Sequence, residues 1–119
     1  MEKPHKKLIA WQKCMELVVL IYKITKDFPK EETYGLVSQM RRASISAPSN
    51  IAEGAADRSR EQFKNFLSIT IGSLNELNTQ LEIAFRIEYL NNANHDEAQK
   101  LVDECLAVTY GLKRSLERK

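Results

Sequence analysis

The residues of this chain best suited to bind another molecule are basic, and most of them lie close together in the sequence. Arginine can grip a phosphate through two parallel hydrogen bonds, and such contacts give affinity for nucleic acid without reading its base sequence. Nucleic-acid binding is therefore the first hypothesis. The candidate residues for this role are Lys6, Lys7, Lys13, Arg41, Arg42, Arg58, Arg60 and Lys64.

A structural role for the arginines is the alternative hypothesis. Acidic side chains that could pair with them stand nearby in the sequence, at Glu31, Glu53 and Asp57. No aromatic residue is interleaved with the basic ones in the way that a base-stacking platform requires. Two interpretations stay open: the arginines contact phosphates, or they form ion pairs that organise the fold or a subunit contact.

The residue types and their spacing give little support for catalysis or metal binding. A di-metal centre in a helical bundle needs inward-facing Glu-x-x-His pairs, and the chain has none. Its two histidines, His5 and His95, lie in predicted surface segments, so no serine has a histidine placed to act as its base. The run His95-Asp96-Glu97 could in principle hold a divalent ion, but a capping turn is the simpler interpretation. The glycines are isolated and form no phosphate loop. We expect no enzymatic activity, no metal and no cofactor.

Length and composition predict one small all-α domain spanning residues 1–119. The 119 residues suffice for one core. The charged fraction of 29% and hydrophobic fraction of 43% are typical of globular proteins, and three prolines and four glycines favour few turns and long helices. The net charge of +2 neither requires nucleic acid nor excludes it. No apolar run is long enough to cross a bilayer, so we expect no membrane association and a cytoplasmic location.

Four amphipathic helices are predicted, over about residues 7–27, 33–56, 59–91 and 95–117. Their short connections favour an antiparallel up-and-down four-helix bundle. In the first helix, a three- and four-residue spacing predicts that the buried side consists of Leu8, Trp11, Met15, Val18, Val19 and Tyr22. The strongest periodic signal is a heptad-like seam in the third helix, formed by Phe63, Leu67, Thr70, Leu74, Leu77, Leu81 and Ala84.

The second helix combines small residues with an internal proline. One side carries the residues expected to pack, which are Leu36, Met40, Ala43, Ala47, Ile51 and Ala55. Pro48 removes a backbone hydrogen bond from the helix. We therefore predict a helix that is continuous but kinked near this residue. The alternative is a break, with Pro48 at the first position of a new helix.

Several polar or small residues are candidates for structural or interface roles. The polar stripe Ser46, Asn50 and Glu53 could face solvent, line a pore or form hydrogen bonds across a subunit interface. Gly72 lies in the middle of the third helix, where glycine costs about 1 kcal/mol relative to alanine. We expect it to permit close approach of the small-residue face of the second helix. The candidate set is Ser46, Pro48, Asn50, Glu53 and Gly72.

The two cysteines, Cys14 and Cys105, are far apart in sequence and form no Cys-x-x-Cys motif. This pattern indicates neither a zinc site nor a redox pair. Both lie on or beside apolar helical stripes, where a free cysteine packs as a small hydrophobic residue. A disulfide between the first and last helices is the alternative, which a reducing compartment disfavours.

Three stretches of the sequence carry a family resemblance. They are YGLVSQMRRASISAPSNIAEG from Tyr34 to Gly54, GSLNEL from Gly72 to Leu77, and the opening LIAWQKCMELVVLIYKITKDFP. Together with Arg58, Phe63, Phe66 and Leu67, these stretches resemble the four-helix-bundle proteins encoded in intervening sequences of bacterial 23S ribosomal RNA genes.

The resemblance implies a homopentamer whose bundles form a ring around a central channel, and it implies an association with ribosomal RNA intervening sequences. The accessory protein of diversity-generating retroelements, which works with a reverse transcriptase, is also similar. We therefore expect a non-catalytic homo-oligomeric scaffold that contacts RNA or a nucleic-acid enzyme through basic surface residues. The alternative is a protein-interaction module or accessory subunit with no direct nucleic-acid contact. No small-molecule substrate is indicated.

Overall fold

The protein is an all-α bundle of four helices. The computed structural model describes residues 3–56 and 59–117, which contain no β-strand. The helices are α1 (Ile9–Thr25), α2 (Leu36–Ala55), α3 (Arg60–Arg86) and α4 (Asn92–Glu117). Short 3-10 helices at Pro4–Lys7 and Lys30–Glu32 precede α1 and α2. None of the described helices combines the length and hydrophobicity needed to span a membrane.

Neighbouring helices pack antiparallel, and the bundle closes through contact between α1 and α4. The start of α2 contacts the end of α1 through Arg41 and Thr25. The carbonyl of Ala47 accepts a hydrogen bond from Thr70 of α3. The bundle measures 47 × 24 × 21 Å, and a 27-residue helix such as α3 spans about 40 Å of the longest dimension. The predicted up-and-down fold is confirmed.

The small-residue face of α2 and the seam of α3 form much of the core, as predicted. Met40, Ala43, Ala47 and Ile51 are buried on α2. On α3 the seam residues from Leu67 to Ala84 are buried, and Phe63 is half-buried. Because alanine and serine extend little from the backbone, α2 comes close enough for Thr70 Oγ1 to donate to Ala47 O at 2.9 Å. Helix α2 packs more extensively against α3 than against α1.

Helix α1 turns a different face to the core from the one predicted. None of the six residues predicted to be buried on this helix is buried; Val19 is 68% exposed and Tyr22 is 40% exposed. The core face instead consists of Ala10, Cys14, Leu17, Leu20, Ile21 and Ile24. The helix carries two adjacent apolar stripes with the same spacing, and periodicity alone does not decide which one meets the other helices. Leu8 and Trp11 of the second stripe are half-buried against the core, whereas Met15, Val19 and Tyr22 are left on the surface.

Helix α2 passes through Pro48 without interruption. This excludes the alternative in which a new helix begins there, whereas the size of any bend stays a prediction. Pro48 has no N–H to donate to the carbonyl of Ser44, one turn earlier. The side chain of Ser44 forms its own hydrogen bond to Arg41 O at 2.8 Å. The buried ring of Pro48 contributes to the α2 surface that faces α1.

Close approach to α2 occurs at a different glycine from the one predicted. A Cβ atom on Gly72 would meet no atom within 4 Å, so no neighbouring backbone of this chain approaches it. A Cβ on Gly54, near the end of α2, would lie 2.8 Å from Phe63 Cδ1 and 2.9 Å from Phe66 Cβ. Gly54 therefore allows the first turn of α3 to pack against the last turn of α2. A role for Gly72 at a subunit interface stays a prediction.

The connection between α3 and α4 differs from the prediction at both helix ends. Helix α3 ends at Arg86, not near residue 91, because Glu88 adopts a left-handed conformation with φ of 69°. Tyr89 N then donates back to Ala84 O at 2.8 Å, which closes the helix end. Helix α4 begins at residue 92, not 95, and the side chain of Asn91 caps it by accepting a hydrogen bond from Asn94 N at 2.7 Å.

Candidate nucleic-acid interface

Arg41 is held against the last turn of α1 by uncharged groups. Its Nε donates a hydrogen bond to Thr25 Oγ1 at 3.1 Å, and a terminal nitrogen lies 3.5 Å from Tyr22 O. The guanidinium carbon lies 4.3 Å from the centre of the Tyr22 ring, a cation–π arrangement worth about 0.5–1 kcal/mol at an exposed site. Thr25 is itself fixed by a 2.7 Å hydrogen bond to Ile21 O. Arg41 is therefore anchored to α1, and among the described residues it pairs with no carboxylate; Asp57 lies outside them.

A surface groove beside these contacts brings two aromatic and two basic side chains together. The groove has a volume of about 440 Å³, and Tyr22, Tyr34, Arg41 and Arg42 are among its lining residues; we call it the tyrosine–arginine groove. Tyr34 is 95% exposed. No aromatic residue is interleaved with the arginines in the sequence, but the fold brings two tyrosines into the same groove as Arg41 and Arg42. Tyr22 reaches Arg41 from a different helix, and Tyr34 lies just before α2, so the proximity depends on how α1 packs against α2.

Arg42 differs from Arg41 in having no internal partner. It is exposed and lines the same groove. Within residues 3–56 and 59–117 it forms neither an ion pair nor a hydrogen bond through its side chain. An anionic ligand can therefore bind the Arg42 guanidinium without breaking a hydrogen bond or ion pair among the described residues.

The remaining basic candidates are partly committed to other contacts. Lys13 donates to Glu104 Oε1 at 3.3 Å and so links α1 to α4. This hydrogen bond is the main reason that the pKa of Lys13 lies above its ordinary value. Lys64 lies 3.4 Å from Glu61, one turn earlier on α3. Lys13 and Lys64 are therefore less available to a ligand than Arg42.

The eight basic candidates do not form one patch. Lys6 and Lys7 are exposed in the 3-10 helix before α1, and Arg60 is exposed at the start of α3. They lie near the end of the bundle where α2 finishes, about 20 Å along the helix axis from Arg41, at 1.5 Å per residue. Arg58 lies outside the described residues. Among the candidates that the structure describes, Arg41 and Arg42 line one groove together with two tyrosine side chains.

Of the three polar-stripe residues, Ser46 links α2 to α3 and Asn50 supports Ser46 within α2. The hydroxyls of Ser46 and Ser73 are 2.8 Å apart across the two helices. Asn50 Nδ2 donates to Ser46 O at 2.8 Å and contacts Ser46 Oγ at 3.1 Å. Glu53 is exposed. Ser46 thus contributes to the α2–α3 contact within one chain, with Asn50 bound to it, and a role for the stripe at a subunit interface stays a prediction.

His95 lies in the first turn of α4 and not in a turn before the helix. Its ring stacks on Phe85, with centroids 4.2 Å apart and an interplanar angle of 18°. Its Nε2 lies 3.5 Å from Glu82 Oε1, and Nδ1 lies 3.8 Å from Asp96 Oδ1. In the part of the chain that the structure describes, no three histidine, cysteine or acidic side chains are grouped to hold a metal ion. These contacts connect α3 to α4.

Replacing Glu82 with glutamine is expected to weaken the pH dependence of stability in acid. The 2.8 Å hydrogen bond from Arg86 lowers the pKa of Glu82, with a further contribution from His95. A carboxyl whose pKa is lower in the folded state stabilises the fold above its unfolded pKa, and this contribution is lost as the pH falls through the folded value. Thermal melts between about pH 6 and pH 3 should show a larger decrease for wild type than for Glu82→Gln. Parallel decreases would contradict this assignment.

The two cysteines face each other inside the core as free thiols. Cys14 and Cys105 are both fully buried, on α1 and α4 respectively. A hydrogen bond with Cys14 and burial both raise the pKa of Cys105, so its thiol stays protonated. The predicted packing role is confirmed.

Comparison with known proteins agrees with this fold. Residues 6–111 match the family described as 23S rRNA-intervening sequence protein. A crystal structure of a protein of unknown function from the S23 ribosomal protein family of Bacteroides thetaiotaomicron has a TM-score of 0.80 and 24% identity. The match covers 89% of this chain and 96% of that one, and at this identity it concerns the fold alone. No curated protein matches the chain. The family match over most of its length shows that the chain belongs to the 23S rRNA-intervening sequence protein family.

Proposed function

We propose that this protein is a non-catalytic, cytoplasmic, homo-oligomeric scaffold that binds RNA through basic surface residues. The exposed second apolar stripe of α1 is the observation that carries the scaffold role. Met15 is 39% exposed and Val19 is 68% exposed on this helix, and Ile69 and Ile83 are exposed on α3. A lone bundle leaves this apolar surface in water, whereas self-association covers it.

The RNA-binding role is supported by the tyrosine–arginine groove and by the family. The name of the family refers to intervening sequences of 23S rRNA. Arg42, whose side chain forms no ion pair or hydrogen bond among the described residues, lines the same groove as Tyr34, which is almost completely exposed. Phosphate contacts from such residues give affinity that decreases as salt concentration rises.

The oligomeric part of the proposal is tested by light scattering of the intact protein. The homopentamer implied by the family predicts a mass near five times 13.7 kDa. A mass of a single chain at micromolar concentration would contradict the scaffold role.

Replacing Arg42 with alanine is expected to weaken RNA binding and to reduce its salt dependence. Loss of one phosphate contact should lower the slope of log affinity against log salt by about 0.7–0.9. Filter binding of structured RNA at several salt concentrations measures both effects. Lys100→Ala, at an exposed position on α4, is the matched control. It should change the affinity for RNA less than Arg42→Ala does. The absence of RNA binding by wild type at low salt would contradict the RNA-binding role.

Thermal melts of Arg41→Ala and Arg42→Ala, measured alongside RNA binding, separate a role in binding from a role in the fold. Because Arg41 is anchored to α1, its replacement should also lower the melting temperature, whereas Arg42→Ala should not. Equal melting temperatures for the two variants would show that the Arg41 contacts to Thr25 and Tyr22 contribute little to the fold.

A protein-interaction module without nucleic-acid contact is the second candidate. It is favoured by an apolar groove of about 300 Å³ between α1 and α2, whose lining includes Trp11, Met15, Val18, Ile45 and Pro48. Intact self-association combined with no RNA binding would support this candidate.

A further inference from the structure

The tyrosine–arginine groove brings aromatic and basic side chains together at one place on the surface. It lies between the end of α1 and the start of α2, and it combines flat aromatic rings with two guanidinium groups. We infer that the tyrosine–arginine groove binds single-stranded RNA, with one unpaired base stacked on Tyr34 and the neighbouring phosphate bound by Arg42. This inference rests on the proposed RNA-binding function and assigns it a site and a ligand class.

Tyr34 is suited to stack on a base because its ring is not used by the fold. With 95% of the residue exposed, it contributes little to the core, and an exposed ring offers its face to a ligand. Base–aromatic stacking is worth about 1–3 kcal/mol per base and tolerates any base, since every base has a π-face. The Tyr22 ring has one face covered by the guanidinium of Arg41. Tyr34 is therefore the stacking residue of the pair.

The two arginines contribute differently to phosphate binding. Arg41 is already oriented by its contacts to Thr25 and Tyr22, and its donors include an Nη1 group that these contacts do not use. Arg42 is exposed and can adjust its position. The fixed charge of Arg41 attracts the phosphate. Arg42 can then move to form a bidentate contact with it.

Carboxylates near the groove do not neutralise these arginines. Glu32 is the nearest acidic residue of the preceding 3-10 helix, and both of its oxygens are occupied. Oε1 accepts a hydrogen bond from Leu36 N at 3.2 Å, and Oε2 accepts one from Tyr89 at 3.0 Å. The exposed Glu31 and Asp27 are not among the groove-lining residues. The charged residues that line the groove are both arginines, so the lining itself carries positive charge and favours an anionic ligand.

Single-stranded RNA fits this arrangement better than duplex RNA. Bases in a duplex are stacked on each other and their faces are inaccessible, whereas an unpaired base can be splayed out onto an aromatic ring. The Tyr34 ring and the adjacent arginines match one base and one phosphate of such a strand. The duplex offers only its phosphates, which Arg42 can contact without Tyr34.

The test compares two variants of Tyr34 and one control variant on two RNA forms. Fluorescence anisotropy measures binding of a labelled eight-nucleotide oligouridylate and of a blunt RNA duplex at low salt. Tyr34→Ala should weaken binding of the single strand by at least fivefold, as the stacking energy implies, and should leave duplex binding unchanged. Tyr34→Phe, which keeps the aromatic ring, should bind the single strand like wild type. Tyr110→Ala, at an exposed tyrosine on α4, is the matched control and should have no effect.

The outcomes separate this inference from the proposed function. If wild type binds RNA and Tyr34→Ala binds the single strand equally well, the groove assignment is overturned while the RNA-binding role stands. If wild type binds neither RNA, both are overturned. If Tyr34→Ala changes the oligomeric mass, the ring is covered by a second copy of the chain, and the groove assignment fails. Because Tyr34 is exposed, circular dichroism should show an unchanged fold.

Discussion

Replacing Leu74 with alanine should lower the free energy of unfolding by about 2–5 kcal/mol. Leu74 is fully buried in the middle of the α3 seam. Alanine in its place removes apolar contacts and leaves a cavity that the rigid neighbouring helices fill only partly. Domains of this size are stable by about 5–15 kcal/mol, so the loss is a large fraction of the total.

Urea denaturation at one fixed protein concentration measures this loss, because the stability of an oligomer depends on concentration. Asn75→Ala, at the neighbouring exposed position on α3, is the control and should change the free energy by less than about 0.5 kcal/mol. A loss below about 1 kcal/mol for Leu74→Ala would show that the α3 seam is not at the centre of the core.

Alanine should have opposite effects at Gly72 and Gly54. Both glycines lie inside helices, where alanine is favoured by about 1 kcal/mol. The Cβ at position 72 enters open space, so Gly72→Ala should raise the free energy of unfolding by about this amount. At position 54 the Cβ would lie less than 3 Å from Phe63 and Phe66. Overpacking of this kind costs about 1–3 kcal/mol, so Gly54→Ala should be less stable than wild type.

Thermal or urea unfolding of the two variants provides an internal control, because the substitution is the same in both. The free energies of unfolding of Gly72→Ala and Gly54→Ala should differ by about 1–3 kcal/mol. Equal stability of the two variants would show that the ends of α2 and α3 are not in close contact. A loss on Gly72→Ala combined with a smaller oligomeric mass would place Gly72 at a subunit interface.

The sequence was sufficient to predict the type of fold and the seam between α2 and α3. The heptad-like spacing on α3 has one dominant apolar stripe, so its buried face follows from periodicity. Helix α1 has two adjacent stripes, and only the positions of the other helices decide between Leu17 and Val18 as the core residue. The choice depends on packing in three dimensions, which spacing along one helix does not contain.

The candidate site depended even more on tertiary structure. Arg41 and Arg42 could be identified from sequence because phosphate-binding residue types cluster there. Tyr22 could not be linked to them, since it lies on another helix and was assigned to the core. The two glycines illustrate the same limit, because the sequence shows a helical glycine in both places but not the distance to the next helix.

Photo-crosslinking tests the central claim, RNA binding at the tyrosine–arginine groove, most directly. A single-stranded RNA containing 4-thiouridine is irradiated in complex with the intact wild-type protein, and the adducts are mapped by mass spectrometry after trypsin cleavage. The account predicts adducts in the peptide that contains Tyr34, between the cleavage sites at Lys30 and Arg41. Adducts confined to peptides of α3 and α4, or no adducts at all, would contradict it.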